Sequence, residues 1–222
     1  MFAVIFEVQP KKERWDEYLD LAKFLKPEIE KFDGFIDNER FASQRTQGRM
    51  VSLSTWRDEK AVVRWRTLAV HHQVQEKGRF EVFADYHLRV GEITRDNQVP
   101  HGQVLREQRF DETEVGSAKA VTLSELSPDK ADGAHDIDVA AALGLAAADG
   151  VVDHEVFESI YNAGKLLLMV SWLDAESAER WIPRPSSYGV LRHRHVRVVR
   201  DYGMFDRREA PQYYPDAPRG GT

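Results

Sequence analysis

The feature that most constrains this chain is an internal duplication. At a spacing of 116 residues, Gly34, Asp37, Glu39, Phe41, Gly48, Trp56, Asp58 and Trp65 recur as Gly150, Asp153, Glu155, Phe157, Gly164, Trp172, Asp174 and Trp181, in one register without a gap. The chain has only five tryptophans, and four of them fall in these pairs. So rare a residue recurring twice at one spacing marks two related units, and 222 residues leave about 100 for each. The motif His87-Leu88-Arg89-Val90 resembles His195-Val196-Arg197-Val198 at an offset of 108, which predicts that the second unit is shorter after Trp181 by about two helical turns.

Each unit has its own pattern of elements. Residues 2–8 are apolar and β-branched, as a strand requires. Residues 12–32 place Trp15, Tyr18, Leu19, Ala22, Leu25 and Ile29 at helical spacing, with Gly34 as the stop. Residues 35–41 and 49–56 form a hairpin about the Thr46-Gln47-Gly48 turn. Asp58 caps a second helix expected to run unbroken to residue 77, and residues 83–92 close the unit. The order β-α-β-β-α-β is the ferredoxin-like arrangement, so the fold class is α+β with two ferredoxin-like repeats. In the second unit the corresponding segments are 119–126, 136–148, 151–161, 165–172, 176–181 and 191–199. This divides the chain into a first domain over residues 1–94, a polar linker over 95–116, a second domain over 117–206 and a tail over 207–222. The tail's Tyr213 and Tyr214 are expected to pack on the other copy or on another subunit. Met50 with Trp56, and Val51 with Leu53, put apolar groups on both faces of one strand. Each sheet must therefore be covered twice, by its own helices and by the other sheet, as in a barrel closed within the chain or between chains.

Composition narrows the function. The formal net charge is −6 and the isoelectric point near 5.8, which gives no electrostatic basis for nucleic-acid binding. The longest weakly polar run, residues 139–150, is too short to span a bilayer, and no basic leader precedes the first strand, so a cytoplasmic location is the expectation. With no cysteine there is no disulfide, thiolate nucleophile or thiolate-bound metal. Nucleotide loops and nucleophile elbows are also missing. Arg192, Arg194, Arg197 and Arg200 on the last strand fit either an anionic groove or a charged edge strand.

The stretch Gly34-Phe35-Ile36, the strand Val51-Ser52-Leu53-Ser54-Thr55-Trp56 with Arg57-Asp58-Glu59, Trp65, His71-His72, Gln75, Gly78-Arg79 and Phe83-Ala84-Asp85-Tyr86 resemble the antibiotic biosynthesis monooxygenase family of dimeric α+β barrels. The resemblance covers residues 1–93 strongly and the second unit weakly, so the chain looks like a tandem fusion of two such domains. It implies a small cofactor-independent oxygenase that uses O2 on an aromatic phenol or quinol. The alternatives are a heme-binding or heme-degrading enzyme and a non-catalytic binding or scaffold protein. A homodimer stays open.

On an unbroken second helix, Ala61, Trp65, Leu68, His72 and Gln75 share one face, at spacings of 4, 3, 4 and 3. Trp65 matches the family's pocket tryptophan, with Leu68 and Gln75 beside it as substrate contacts. A buried core role is the alternative for Trp65. His72 is the candidate general base, while His71, about 100° away around the helix, is expected to face solvent or the other copy. Asn38 on the second strand and Tyr86 on the last complete the polar candidates. The family's heme-degrading members use a helix histidine as iron ligand, and the aligned residue here is Gln75, a poor ligand, which leaves heme as the alternative cofactor. Pro183 and Pro185 interrupt the second unit's helix, so that half is expected to serve as a built-in partner without catalysis of its own.

Overall fold

Eight strands form one closed antiparallel barrel in the order β1-β3-β2-β6-β7-β5-β8-β4. The computed structural model describes residues 1–128, 137–186 and 188–211. The first half comprises β1 (Phe2–Pro10), α1 (Trp15–Glu30), β2 (Phe35–Ser43), β3 (Met50–Trp56), α2 (Glu59–Thr67), α3 (Ala69–Lys77) and β4 (Phe83–Asp96). The second comprises β5 (Ala120–Pro128), α4 (Val139–Ala142), β6 (Val151–Ser159), β7 (Leu166–Trp172), α5 (Ala175–Arg180) and β8 (Gly189–Gly203). The α+β class and the ferredoxin-like repeat are thus as the sequence implies, and the barrel closes within one chain.

Strand alternation gives β1, β3, β5 and β7 two buried faces, whereas β2 is mostly half-buried and Val152 and His154 of β6 are exposed. Ala3, Ile5, Val51 and Leu53 meet Val121, Leu123, Leu167 and Met169 inside the barrel, whereas Phe2, Trp56 and Val90 on the outer face pack under α2. The duplication is visible in the register. Trp56 lies opposite Phe2 and Trp172 opposite Ala120, while Arg89 lies opposite Ile5 and Arg194 opposite Leu123. The last strands are therefore related by an offset of 105, not 108, so the second half is shorter by about three helical turns, and its described residues include no counterpart of α3.

The residues that repeat also join the halves. At the seam between β2 and β6, Phe41 faces Ser159 and Ser43 faces Phe157, a self-complementary register like that of a two-fold dimer. Ser159 donates to Glu39 at 2.6 Å, and Ser43 reciprocates to Glu155. Inside the barrel, Arg89 pairs with Glu7 and donates to Ser171 of the other half at 2.7 Å. Arg194 pairs with Glu125 and donates to Thr55 at 3.1 Å. Arg49 and Lys165, equivalent in the repeat, join Glu7 and Glu125 respectively. Arg194 therefore belongs neither to an edge nor to a groove: a closed barrel has no edge, and this side chain is 1% exposed.

Three expected elements differ. The second helix breaks at Leu68, whose extended backbone (φ −62°, ψ 129°) separates α2 from α3. The helix expected over 136–148 is reduced to α4 and one 3-10 turn at Leu145–Ala147, because Gly144 adopts φ +79° between them; residue 136 lies outside the described residues. Of residues 95–116, expected to be a plain linker, the first two end β4, and residues 97–116 have no helix or strand but are tied down: Leu105 packs on the barrel core, and the backbone N–H groups of Gln108 and Arg109 donate to Glu92. Tyr213 and Tyr214 lie outside the described residues.

Candidate functional site

Between the outer face of the first half-sheet and its helices lies a cavity of about 480 Å³. The sequence opens this space in a definite way. Ser52 and Ser54 are small residues on the outer face of β3, flanked by Val4 and Phe6 of β1, with α1 contributing Tyr18, Leu21 and Leu25 and β4 contributing Leu88 and Val90. The same places in the second half hold Leu168 and Val170 for the two serines. Those side chains pack with Val139, Leu143, Leu145, Trp172 and Trp181 in a buried cluster.

One wall is aromatic. Trp65, 7% exposed, lies 6.2 Å from Trp56 and 5.4 Å from Phe32, ring centre to ring centre. On it stacks the imidazole of His71, at 4.5 Å and an interplanar angle of 21°. Both histidines thus differ from expectation: His71 lines the cavity and His72 is not among its lining residues. The cause is the break at Leu68. It resets the helical phase, so a stripe counted through from Ala61 no longer holds beyond Trp65. Leu68 itself sits in the break and packs on the aromatic cluster rather than on the cavity wall.

The state of His71 follows from its contacts. Its Nδ1 lies 3.0 Å from the Trp65 carbonyl oxygen, which can only accept, so Nδ1 carries the proton and Nε2 keeps a lone pair. Burial pushes its pKa down to about 4, so the ring is neutral at physiological pH. Gln75 also lines the cavity, and its Oε1 is buried without a hydrogen-bond partner. Asn38 lies on the β2 side, its Nδ2 donating to Ser52 Oγ and the Leu53 carbonyl, both at 3.0 Å, which fixes the amide. Arg40 donates to the hydroxyl of Tyr161 at 2.9 Å, so Tyr161 of the second half reaches this site.

Tyr86 is elsewhere. Its hydroxyl accepts from Arg79 at 2.9 Å and Arg207 at 2.6 Å, and it borders a separate hollow of about 250 Å³ beside His87 and Asp201. There His87 Nε2 meets Asp201 at 2.6 Å and Nδ1 meets Glu7 at 3.4 Å; these carboxylates outweigh the burial that opposes charge and raise its pKa to about 9.

The structure therefore brings Trp65, Gln75 and Asn38 together and leaves out His72, Leu68 and Tyr86. It adds His71, Arg66, Ser52, Ser54 and Tyr202 to the cavity wall. A phase break without Gly or Pro hid His71. Arg66 looks in sequence like any exposed helix arginine, and Tyr202 comes from the other half of the chain.

A cavity between a half-sheet and its helices, on a barrel of two ferredoxin-like units, defines an α+β-barrel protein with a candidate ligand site. The family profile described as antibiotic biosynthesis monooxygenase matches residues 1–77. A curated relative, "Jasmonate monooxygenase ABM" of Pyricularia oryzae, is 46% identical over 224 residues, covering 98% of this chain and 100% of the relative. The chain belongs to the antibiotic biosynthesis monooxygenase family. Among solved structures, a conserved protein from Methanosarcina mazei Go1 matches at 20% identity and a TM-score of 0.38, over 40% of this chain and 88% of that one. A crystal structure of an antibiotic biosynthesis monooxygenase matches at 21% identity and a TM-score of 0.32, over 34% and 80%. No helix among the described residues is long and apolar enough to cross a membrane.

Proposed function

We propose that this chain is a monooxygenase whose substrate, a small and largely apolar organic molecule, lies in the first-half cavity. The observation that carries this reading is an open, aromatic-walled cavity in a chain that matches a jasmonate monooxygenase from end to end. Its volume falls in the range of small-molecule sites, roughly 300–1,000 Å³. That relative makes a jasmonate the first substrate to test. A phenol or quinol is the second, favoured by the stacked surface of His71 and Trp65 on which a flat ring can lie.

The side chains supply an environment more than a reagent. Trp56, Trp65, Phe6 and Leu88 exclude water, which strengthens each polar contact made inside. Nε2 of His71 accepts a hydrogen bond from a substrate hydroxyl or enol, and the fixed amide of Asn38 orients a polar group at the other side. One oxygen atom enters the product and the other leaves as water. A substrate methylene oxidised to a carbonyl supplies both electrons itself: the carbon gives up its two hydrogens to one oxygen atom, forming water, and keeps the other atom as the carbonyl oxygen. Hydroxylation of an unactivated C–H instead draws two electrons from an external reductant. The reaction is proposed to need no bound cofactor. A heme-dependent route would use His71, the histidine on the cavity wall, as its ligand.

The test is incubation of purified protein under 18O2 with jasmonic acid and, separately, a hydroquinone, each with and without NADPH as the two-electron reductant, with mass spectrometry of the products. One 18O per product molecule, lost in Ser52→Leu, is expected; no enzyme-dependent 18O with either compound contradicts the proposal. Hemin titration runs beside it, and a saturable Soret shift abolished by His71→Ala would replace the cofactor-free reading by the heme one.

A further inference from the structure

We infer that Arg66 and Tyr202 form an anion subsite in the cavity, and that the substrate carries a carboxylate which they hold. The inference rests on the reading of this cavity as the substrate site, but not on the reaction that takes place there.

Arg66 lines the cavity, its Nε is buried without a partner, and its guanidinium makes no hydrogen bond or ion pair among the described residues. Its neighbours on α2 and beyond behave differently. Arg57 and Arg64 pair with Asp33, Arg109 with Glu59, and Arg89 with Glu7. The other guanidinium of the cavity wall, Arg40, is engaged with the Tyr161 hydroxyl. Arg66 thus carries part of the cost of burial without a compensating anion, and burial lowers its pKa from the ordinary arginine value. It stays protonated nonetheless, since arginine does not lose its proton in proteins.

Tyr202 supplies the second donor. It reaches the cavity from β8, opposite Leu88 of β4, and its hydroxyl makes no hydrogen bond among the described residues. Burial raises its pKa to about 12, so at working pH it is a neutral O–H. Glu59, the carboxylate that acts on Arg66 from within α2, is held by both hydrogen bonds from Arg109. Two donors, one of them charged, therefore face a cavity whose apolar surface includes Val4, Phe6, Trp65 and Leu88, and whose lining carboxylates are Glu30 and Asp37. A fork of N–H groups beside an O–H matches the geometry of a carboxylate. The ligand that satisfies both surfaces is an amphiphile with an acid head and an apolar body.

Displacement of the neutral dye Nile red from the full chain tests this, using jasmonic acid and octanoic acid, each beside its methyl ester. Both acids are expected to displace the dye at least about tenfold more effectively than their esters, the magnitude of one charge-assisted hydrogen bond. Arg66→Gln should erase that preference by weakening the acids alone, Arg66→Lys should restore part of it, and Tyr202→Phe should reduce it. Equal displacement by acids and esters in the wild type, no displacement by either, or an acid preference surviving in folded Arg66→Gln would overturn the inference. Failure of the monooxygenase reading looks different: the acid preference and its dependence on Arg66 persist while no 18O enters any product.

Discussion

Replacing Glu125 by glutamine takes the carboxylate away from Arg194 inside the barrel. Arg194 is 1% exposed, and its remaining partner is the Thr55 hydroxyl at 3.1 Å. A guanidinium left buried without its anion destabilises a protein by about 3–5 kcal/mol. In a chain of this size each kcal/mol lowers Tm by about 2–4 °C, so Glu125→Gln should melt roughly 6–20 °C below the wild type. The paired replacement Glu125→Leu with Arg194→Met removes both charges and their desolvation costs, while Lys165 keeps Glu39. It should recover most of the loss. The two-fold relation adds a further expectation: Glu7→Gln should cost a similar amount, because Arg89 then keeps only Ser171 and the Met169 sulfur. Differential scanning calorimetry, with urea unfolding at constant slope as a second measure, reads all four proteins. A Glu125→Gln variant within about 1 kcal/mol of the wild type would refute the reasoning, as would a double variant less stable than the single.

Three further outcomes are expected. Ser52→Leu copies Leu168 of the second half into the cavity floor; Asn38 keeps its bond to the Leu53 carbonyl, so Tm should hold within a few degrees while ligand-induced change in tryptophan fluorescence is lost. His87 has a folded pKa raised to about 9 against roughly 6.5 unfolded. Its contribution is therefore fully present below pH ~6.5 and lost as pH rises through about 9, so Tm should fall across that window in the wild type and fall less in His87→Asn. His71, held at about 4, stays neutral over the usual assay range. Ligand affinity should show no step near pH 6.5, and such a step that vanished in His71→Phe would contradict its assigned state.

Much of the architecture was legible because duplication wrote it twice. The pairs Trp56/Trp172 and Asp58/Asp174 mark the end of one strand and the cap of the next helix in both halves; Asp58 and Asp174 each accept from the backbone N–H three residues on. Glu39 and Glu155 were visible as a repeat, yet their role in bonding across the β2–β6 seam was not, because partners more than 100 residues away leave no local pattern. The same holds for Arg194, a charge in a strand that reads as exposed until a partner such as Glu125 is placed opposite it. In the site, Trp65 and Asn38 were found because their elements kept their expected phase, whereas Gln75, beyond the break, lines the cavity on the reset face of α3 together with His71, four residues before it. His71 was missed because one extended residue, Leu68, shifted the phase of every helical residue after it. Sequence spacing predicts a face only as far as the helix is continuous.

In the proposed function a single cavity over the first half-sheet takes the substrate. A crystal structure of the chain with jasmonic acid, with the stoichiometry measured by calorimetry, tests it most directly. One molecule per chain is expected, in contact with Trp65 and His71 and with its carboxylate at Arg66. A ligand seated against Trp172 and Trp181, or in the hollow beside Tyr86, would contradict it.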